Sequence, residues 1–400
     1  MDKERVIFHI DVNNAFLSWS AVKLLNDGYE EDIRTIPSVI GGDESKRHGI
    51  VLAKSPIAKK YGIKTAETLY SARKKCKNLK IFPPDYNHYK NSSQNLFKYL
   101  EKYSPNMEQI SVDECFLDMS NTSYLYDNLV DLAYKIKDEI KEMFGFTVNI
   151  GVANNKLCAK MASDFEKPDK VHTLFDYEVK QKMWPLSVGD LYMVGRKSSE
   201  KLELLGIKTI GDLANTNIEF LKKHFKSFAI TMWEYANGID NSKVINEYEG
   251  SKCISVSETF EVDVDDVKRL KDTLLKQTEK VSKQLRKQKY YASTVAITIR
   301  TYDFKNFSKQ LKLNNPTDIT NEIYKHIIDL FECFWDGTKV RNLGVRLSNF
   351  TSSCDRQLSL FEKYDESDHK FQKTIDNIND RFGNNVIMPA SLFKKEDKDK

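Results

Sequence analysis

The sequence predicts an α+β protein of several domains, and three observations carry that reading. At 400 residues the chain is too long for a single hydrophobic core. Strand-like and helix-like stretches alternate in two blocks, separated by short helices and a polar linker. A 40% hydrophobic and 11% aromatic share is enough to pack those blocks, which excludes a mostly disordered chain. No run reaches the roughly 18–20 apolar residues that span a bilayer, and Met1-Asp2-Lys3-Glu4-Arg5 leads into no signal-peptide core. A cytoplasmic protein with no membrane partner is expected.

Val6–Ile10 (V-I-F-H-I) reads as a buried strand ending at Asp11. Asn13–Leu25 has helical spacing through Phe16, Trp19 and Leu24, and closes at the turn pair Asp27-Gly28. A basic stretch follows, to Pro83-Pro84. Asn91–Tyr103 is a predicted helix stopped by Ser104-Pro105. Met107–Met119 alternates as adjoining strands do, and Leu125–Met143 has strong helical periodicity. Thr147–Val152 is a strand, and Asn154-Asn155 can cap the helix Lys156–Phe165, which stops before Pro168. Together these form a sheet domain with the basic stretch inserted. From Val179 to Gly238, turns at Gly195, Gly206 and Gly211 punctuate a small all-α unit. After a polar linker (Asp240–Ser251), the strands Lys252–Val262, Ser293–Thr301, Lys305–Leu313 and Lys339–Ser348 alternate with the helices Val267–Gln288 and Asp318–Cys333. They make a second α+β domain, and Phe371–Phe382 can add a short helix in the tail.

Cys76, Cys115, Cys158, Cys253, Cys333 and Cys354 lie far apart, with no C-x-x-C pair, so neither a disulfide framework nor a zinc site is expected. The seven histidines lack ligand spacing, so a bound metal would need oxygen donors. Net charge is only +4, but its distribution is uneven. Lys46–Lys80 holds eleven Lys/Arg against one acid, Glu67, and Lys283–Lys312 holds eight against one, Asp303. Each stretch alone reads as a solvated face, whereas the pair points to a polyanion.

Asp11 ends the first strand, and Asp113 and Glu114 fall within the strand pair. Acids are costly to bury in strands unless paired or metal-bound. Three on one sheet would form a carboxylate cluster suited to Mg²⁺, and two such ions would clamp an in-line phosphoryl transfer. The plainer readings are that Asp113 and Glu114 occupy a turn between strands and that Asp11 caps a helix.

Phe8-His9-Ile10-Asp11-Val12-Asn13, Ser111-Val112-Asp113-Glu114 and Gly151-Val152-Ala153-Asn154-Asn155-Lys156 through Lys167-Pro168 resemble, in order and spacing, the motifs of Y-family translesion DNA polymerases of the DinB/UmuC type. The resemblance runs from about residue 5 to Phe350. It implies a right-hand architecture: palm in 1–24 and 85–175, small fingers in 25–84, an all-α thumb in 176–240, a linker in 241–250 and an α+β little finger in 251–350. Residues 351–400 form a C-terminal tail.

By that resemblance Asp11, Asp113 and Glu114 are the catalytic acids and, with the Val12 carbonyl, hold two Mg²⁺ ions. Phe16 matches the steric gate against a ribose 2′-OH, although by spacing alone it reads as a core residue. Lys167 and Lys59 meet the incoming deoxynucleoside triphosphate. Three positions depart from the family pattern. Pro56 and Lys59 replace a Tyr/Arg pair, so the bidentate guanidinium fork is lost, and Ala15 replaces an aromatic residue beside the gate. Tyr192-Met193-Val194-Gly195 resembles a helix-hairpin-helix turn with Met193 for the first glycine, and its plainer reading is an ordinary helix–helix turn. Gly195, Lys283, Arg286, Lys287, Lys289, Arg300, Lys305, Lys309 and Lys312 are expected along primer-template DNA. Gln357-Leu358-Ser359-Leu360-Phe361 resembles the peptide that docks bacterial polymerases on the sliding clamp, and a chance apolar cluster is its alternative. The implied function is low-fidelity, template-directed primer extension. A non-catalytic DNA- and clamp-binding adaptor and a two-metal nuclease are the competing readings.

Overall fold

The computed structural model describes residues 5–44, 47, 49–246, 250–352, 366–383 and 386–392. They divide into two compact units, one of residues 5–44 and 49–246 and one of residue 47 with those from 250 on. Gln357, Leu358, Leu360 and Phe361, expected to bind a clamp, lie outside the described residues.

The first unit opens with β1 (Ile7–Val12) and α1 (Ala15–Asn26). The basic stretch folds as a subsheet of β2 (Ser38–Gly41), β3 (Val51–Lys54), helices α2 (Pro56–Lys60) and α3 (Leu69–Lys75), and β4 (Lys80–Phe82), in strand order β3-β2-β4. Next come α4 (Tyr86–Leu100), the hairpin β5 (Met107–Gln109) and β6 (Glu114–Asp118), α5 (Leu129–Phe144), β7 (Val148–Ala153), α6 (Lys156–Asp164) and β8 (Val171–Leu174). Their strands join β1 in a five-stranded sheet of order β5-β6-β1-β7-β8. The short helices α7 (Arg196–Leu204), α8 (Ile210–Asn215), α9 (Ile218–Phe225) and α10 (Phe228–Ala236) follow.

β1 is central and buried along its whole length because helices cover both faces. Phe8, Ile10 and Val12 pack with Trp19 of α1, Leu96 of α4 and Ile136 of α5. Ile7 faces the other way, into a core with Leu157 and Met161 of α6 and the α7–α10 helices. By strand alternation His9 and Asp11 share that α6 side. Gly151 lets α6 lie close: a Cβ there would stand 1.9 Å from the Ala159 carbonyl oxygen and 2.6 Å from the Ser163 nitrogen.

Caps explain where elements depart from the sequence reading. α4 starts at Tyr86 rather than Asn91 because the Asp85 carboxylate accepts the His88 amide. α5 starts at Leu129 because Asn128 caps it, and Asn155 caps α6 as expected. Asp11 is no helix cap: it lies inside β1, and Asn14 holds the cap position of α1 at φ 51°. The β2–β4 subsheet and β8 escape pattern reading because they are three- or four-residue strands with parallel pairings, β2 with β4 and β7 with β8. Residues 241–246 hydrogen-bond onto the first unit, the Ile245 amide to Glu108 at 2.9 Å and the Asn246 amide group to the Pro105 carbonyl at 2.7 Å.

The second unit comprises β9 (Cys253–Val264), α11 (Val267–Lys287), β10 (Tyr291–Thr301), β11 (Asn306–Thr317), α12 (Thr320–Phe334), β12 (Val340–Thr351) and α13 (Glu366–Phe382). Its sheet is antiparallel throughout, in the order β11-β10-β12-β9. Val295, Ile297, Ile299, Leu343, Val345 and Leu347 face α11 and α12. The alternate residues form an open, polar face, with Ala296 opposite Arg346, Thr298 opposite Gly344 and Arg300 opposite Asn342.

Candidate active site

Three carboxylates meet at one end of the first unit's sheet. Asp11 lies opposite Glu114 in the β1–β6 ladder. The β5–β6 turn runs through Ile110-Ser111-Val112-Asp113, and its Asp113 carbonyl accepts the Val12 amide at 3.0 Å. Asp113 is thus a turn residue, as its plainer reading had it, while Glu114 opens a strand. The turn itself carries Asp113 to the other two acids.

Their surroundings shift Asp113 and Glu114 in opposite directions. Burial pushes the Asp113 carboxyl above the usual range, the Ser111 hydroxyl it accepts works against that, and Asp11 and Glu114 add to the rise. Glu114 is instead held down to about 2 by the His9 imidazole and the Lys160 ammonium, despite its own burial. His9 Nε2 lies 3.4 Å from Glu114 Oε2 without a formed hydrogen bond, and burial pushes His9 down, toward the neutral imidazole. Its Nδ1 meets the Ser163 hydroxyl at 2.8 Å.

Two lysines supply positive charge to the cluster. Lys167 Nζ bonds the Asp11 carboxylate and lies 2.8 Å from Asp164. Burial would lower the Lys167 ammonium, but Asp11 and Asp164 together outweigh it and the pKa rises. Lys160 lies 3.1 Å from Glu114, 3.5 Å from Asp164 and 3.9 Å from Asp11. Among the described residues no three acid, histidine or cysteine side chains already form a metal cage.

The loop that carries Lys167 is tied to the end of β1 by two buried amides. Asn13 donates to Asn149 at 3.0 Å, and Asn149 donates to the Ser163 and Glu166 carbonyls at 2.9 and 2.6 Å. Asn149, His9 and Lys160 were not singled out in the sequence. Asn149 and His9 each carried a signal, as a polar residue in an otherwise apolar strand.

Phe16 is half-buried in the first turn of α1, stacked on Tyr89 of α4 with centroids 4.7 Å apart and planes 10° apart. Ala15, beside it, is buried in the core. Pro56 has a local explanation, because it fills the first turn of α2 behind the Ser55 cap, where no amide is needed. Lys59 is exposed on the same helix, close enough to Lys54 to help burial depress that ammonium. In the turn before α7, Met193 takes the left-handed conformation at φ 72°, and Gly195 precedes the helix with open space where a Cβ would go.

The basic stretch of the second unit is split between opposite faces. Arg300 belongs to the open sheet face, as does Arg346, which the sequence reading missed. Lys283, Arg286 and Lys287 lie on α11, behind the sheet, and ion-pair with α13. Arg286 Nε is 2.6 Å from Asp376 and Lys283 is 2.7 Å from Asp380. Lys287 is 3.5 Å from the same Asp380. Lys289 follows α11 at φ 58°, and Lys305 pairs with Asp303 at 2.9 Å.

The chain is similar to known proteins along most of its length. Residues 10–164 match the impB/mucB/samB family and residues 251–360 match that family's C-terminal domain. The chain is 46% identical to the DNA polymerase IV of Clostridium acetobutylicum over 98% of its own length and all of the relative's. It is 34% identical to DNA polymerase IV 2 of Bacillus subtilis, over 98% of this chain and 95% of that one. Its fold is similar to a solved Y-family DNA polymerase chimera, with a TM-score of 0.75 and 24% identity, covering 86% of this chain and 98% of the other. The chain belongs to the impB/mucB/samB family, the bacterial DinB-type branch of the Y-family DNA polymerases.

Proposed function

We propose that the chain is a template-directed DNA polymerase of low fidelity that extends primers past damaged bases. One observation carries the reading: Asp11, Asp113 and Glu114 gather at one strand end in a chain 46% identical to a DNA polymerase IV. In this reading the five-stranded sheet with α4–α6 is the palm, the β2–β4 insert the fingers, α7–α10 the thumb and the second unit the little finger.

Asp11, Asp113, Glu114 and the Val12 carbonyl would hold two Mg²⁺ ions. The donor set suits a hard divalent cation: it is all oxygen, and the Asp11 and Glu114 carboxylates add to the rise that burial gives Asp113. Bound there, such ions would supply Lewis-acid chemistry, acidifying the primer 3′-OH and offsetting phosphate charge. Lys167, on an anchored loop and bonded to Asp11, is placed to exchange that carboxylate for the triphosphate. Lys59 adds a point charge without the orienting fork of an arginine. Phe16, braced by Tyr89, blocks a 2′-OH.

Arg300 and Arg346, on a face of small polar residues, meet the DNA backbone, and Gly195 with the amides that follow it meets a further phosphate. Gln357, Leu358, Leu360 and Phe361 dock on the sliding clamp. We place the enzyme in the cytoplasm, where its scattered thiols stay reduced. The adaptor reading lacks support, since all three acids are present. The test is primer extension by the chain and by an Asp113→Ala/Glu114→Ala variant: growth only with the acids supports the polymerase, and primer shortening would favour a nuclease.

A further inference from the structure

We infer that Lys160 is the permanent counter-ion of the carboxylate cluster, that Lys167 is the exchangeable one, and that Lys160 sets how weakly the cluster binds a divalent cation before nucleotide arrives. The inference rests on the metal-site reading above.

The two lysines differ in how they are held. Lys160 sits mid-helix in α6, its side chain 13% exposed, with α6 pressed onto the sheet at Gly151. From there it spans the β1–β6 pair, reaching Glu114 and Asp11 at once, with Asp164 one helical turn on. Lys167 lies beyond the helix on a loop, its side chain 37% exposed, and pairs with Asp11 and Asp164 rather than with Glu114. A lysine packed against a helix and three carboxylates cannot leave without repacking, whereas one on an exposed loop can swing to a new anion.

The consequence is electrostatic. The three acids alone would carry up to three negative charges at one strand end. The two ammonium groups, which Asp164 shares, offset part of that charge, and a divalent cation meets repulsion from Lys160 at short range. An incoming triphosphate draws Lys167 away from Asp11 and brings its own negative charge, which restores the site's demand for cations. The cluster thus stays weakly metallated until substrate is present. Lys160 also steadies Glu114 with His9, so it is a positioning residue, with no bond of its own to the substrate.

The test uses the full chain without DNA or nucleotide and measures Mn²⁺ binding by electron paramagnetic resonance and thermal melting in chelator. Lys160→Met should tighten Mn²⁺ at least about tenfold, through loss of one nearby positive charge, and should lower the melting temperature in chelator. Excess Mn²⁺ should restore it. Lys160→Arg should behave as wild type. Should Lys160→Met not fold in chelator, Lys160→Gln removes the charge while keeping a donor to Glu114. Unchanged or weaker Mn²⁺ binding by the uncharged variants would overturn the inference. An Asp113→Asn/Glu114→Gln control separates the two failures. If that variant binds Mn²⁺ as wild type does, the metal-site reading falls. If it loses binding while Lys160→Met and Lys160→Gln leave it unaltered, only the role of Lys160 falls.

Discussion

Lys167 bonds Asp11 across 156 residues of sequence, joining the loop after α6 to the end of the central strand. The pairing is held in place by the Asn13–Asn149 amide bridge, which ties the same loop to the same strand end. A lysine kept beside the reacting centre in this way, yet over a third exposed, is poised to exchange partners.

Lys167→Met should therefore weaken nucleotide use more than turnover. Losing one charge-assisted contact to a phosphate predicts a KM for deoxynucleotide raised about 10- to 100-fold. Steady-state single-nucleotide insertion checks it, and an unchanged KM would remove Lys167 from the nucleotide site.

Phe16 is stacked flat on Tyr89, so its ring is fixed rather than free to swing. Phe16→Ala should raise the ratio of ribonucleotide to deoxynucleotide insertion at least about tenfold, with little loss of deoxynucleotide insertion. Competitive insertion assays read this ratio directly. An unaltered ratio would put the gate elsewhere.

The split of the basic stretch makes a paired prediction. Arg300→Gln and Arg346→Gln should each reduce the slope of log affinity for DNA against log salt by about one. Arg286→Gln should leave that slope unchanged, because its guanidinium faces Asp376 on the other side of the unit. It should instead loosen α13, seen as faster amide exchange in residues 370–383.

Why the sequence separated these poorly is a matter of faces. Lys283, Arg286 and Arg300 fall in one run, but strand alternation puts Arg300 on the open face while α11 packs against the opposite one. The acid cluster was easier to read. Asp11 ends an apolar run, Asp113 and Glu114 sit in a short hairpin, and antiparallel pairing of their strands brings them together. Lys160 gave no warning, since a lysine on a short helix reads as surface until Gly151 is seen to draw that helix onto the sheet. Pro56 shows in the sequence only as a departure from the family pattern, and its local meaning, a first-turn proline behind Ser55, needs the backbone.

Glu139 offers a pH test away from the site. The Tyr103 and Tyr99 hydroxyls that it accepts hold its carboxyl down to about 2. An acid depressed below its unfolded value of about 4.5 stabilises fully above that value and loses the effect as pH falls toward the folded one. The melting temperature of Glu139→Gln should thus trail wild type above about pH 5 and converge with it as pH falls toward 2. A gap independent of pH would show that the tyrosines do not favour the charged carboxylate.

The most direct test of the central claim is extension of a labelled primer on an undamaged template with Mg²⁺ and each deoxynucleotide singly. The geometry of Asp11, Asp113 and Glu114 predicts primer growth with frequent wrong bases. Asp113→Ala/Glu114→Ala should lower the rate by at least about 10²–10³-fold while DNA remains bound. No growth by the wild-type chain with DNA still bound, or growth that survives in the variant, would contradict it.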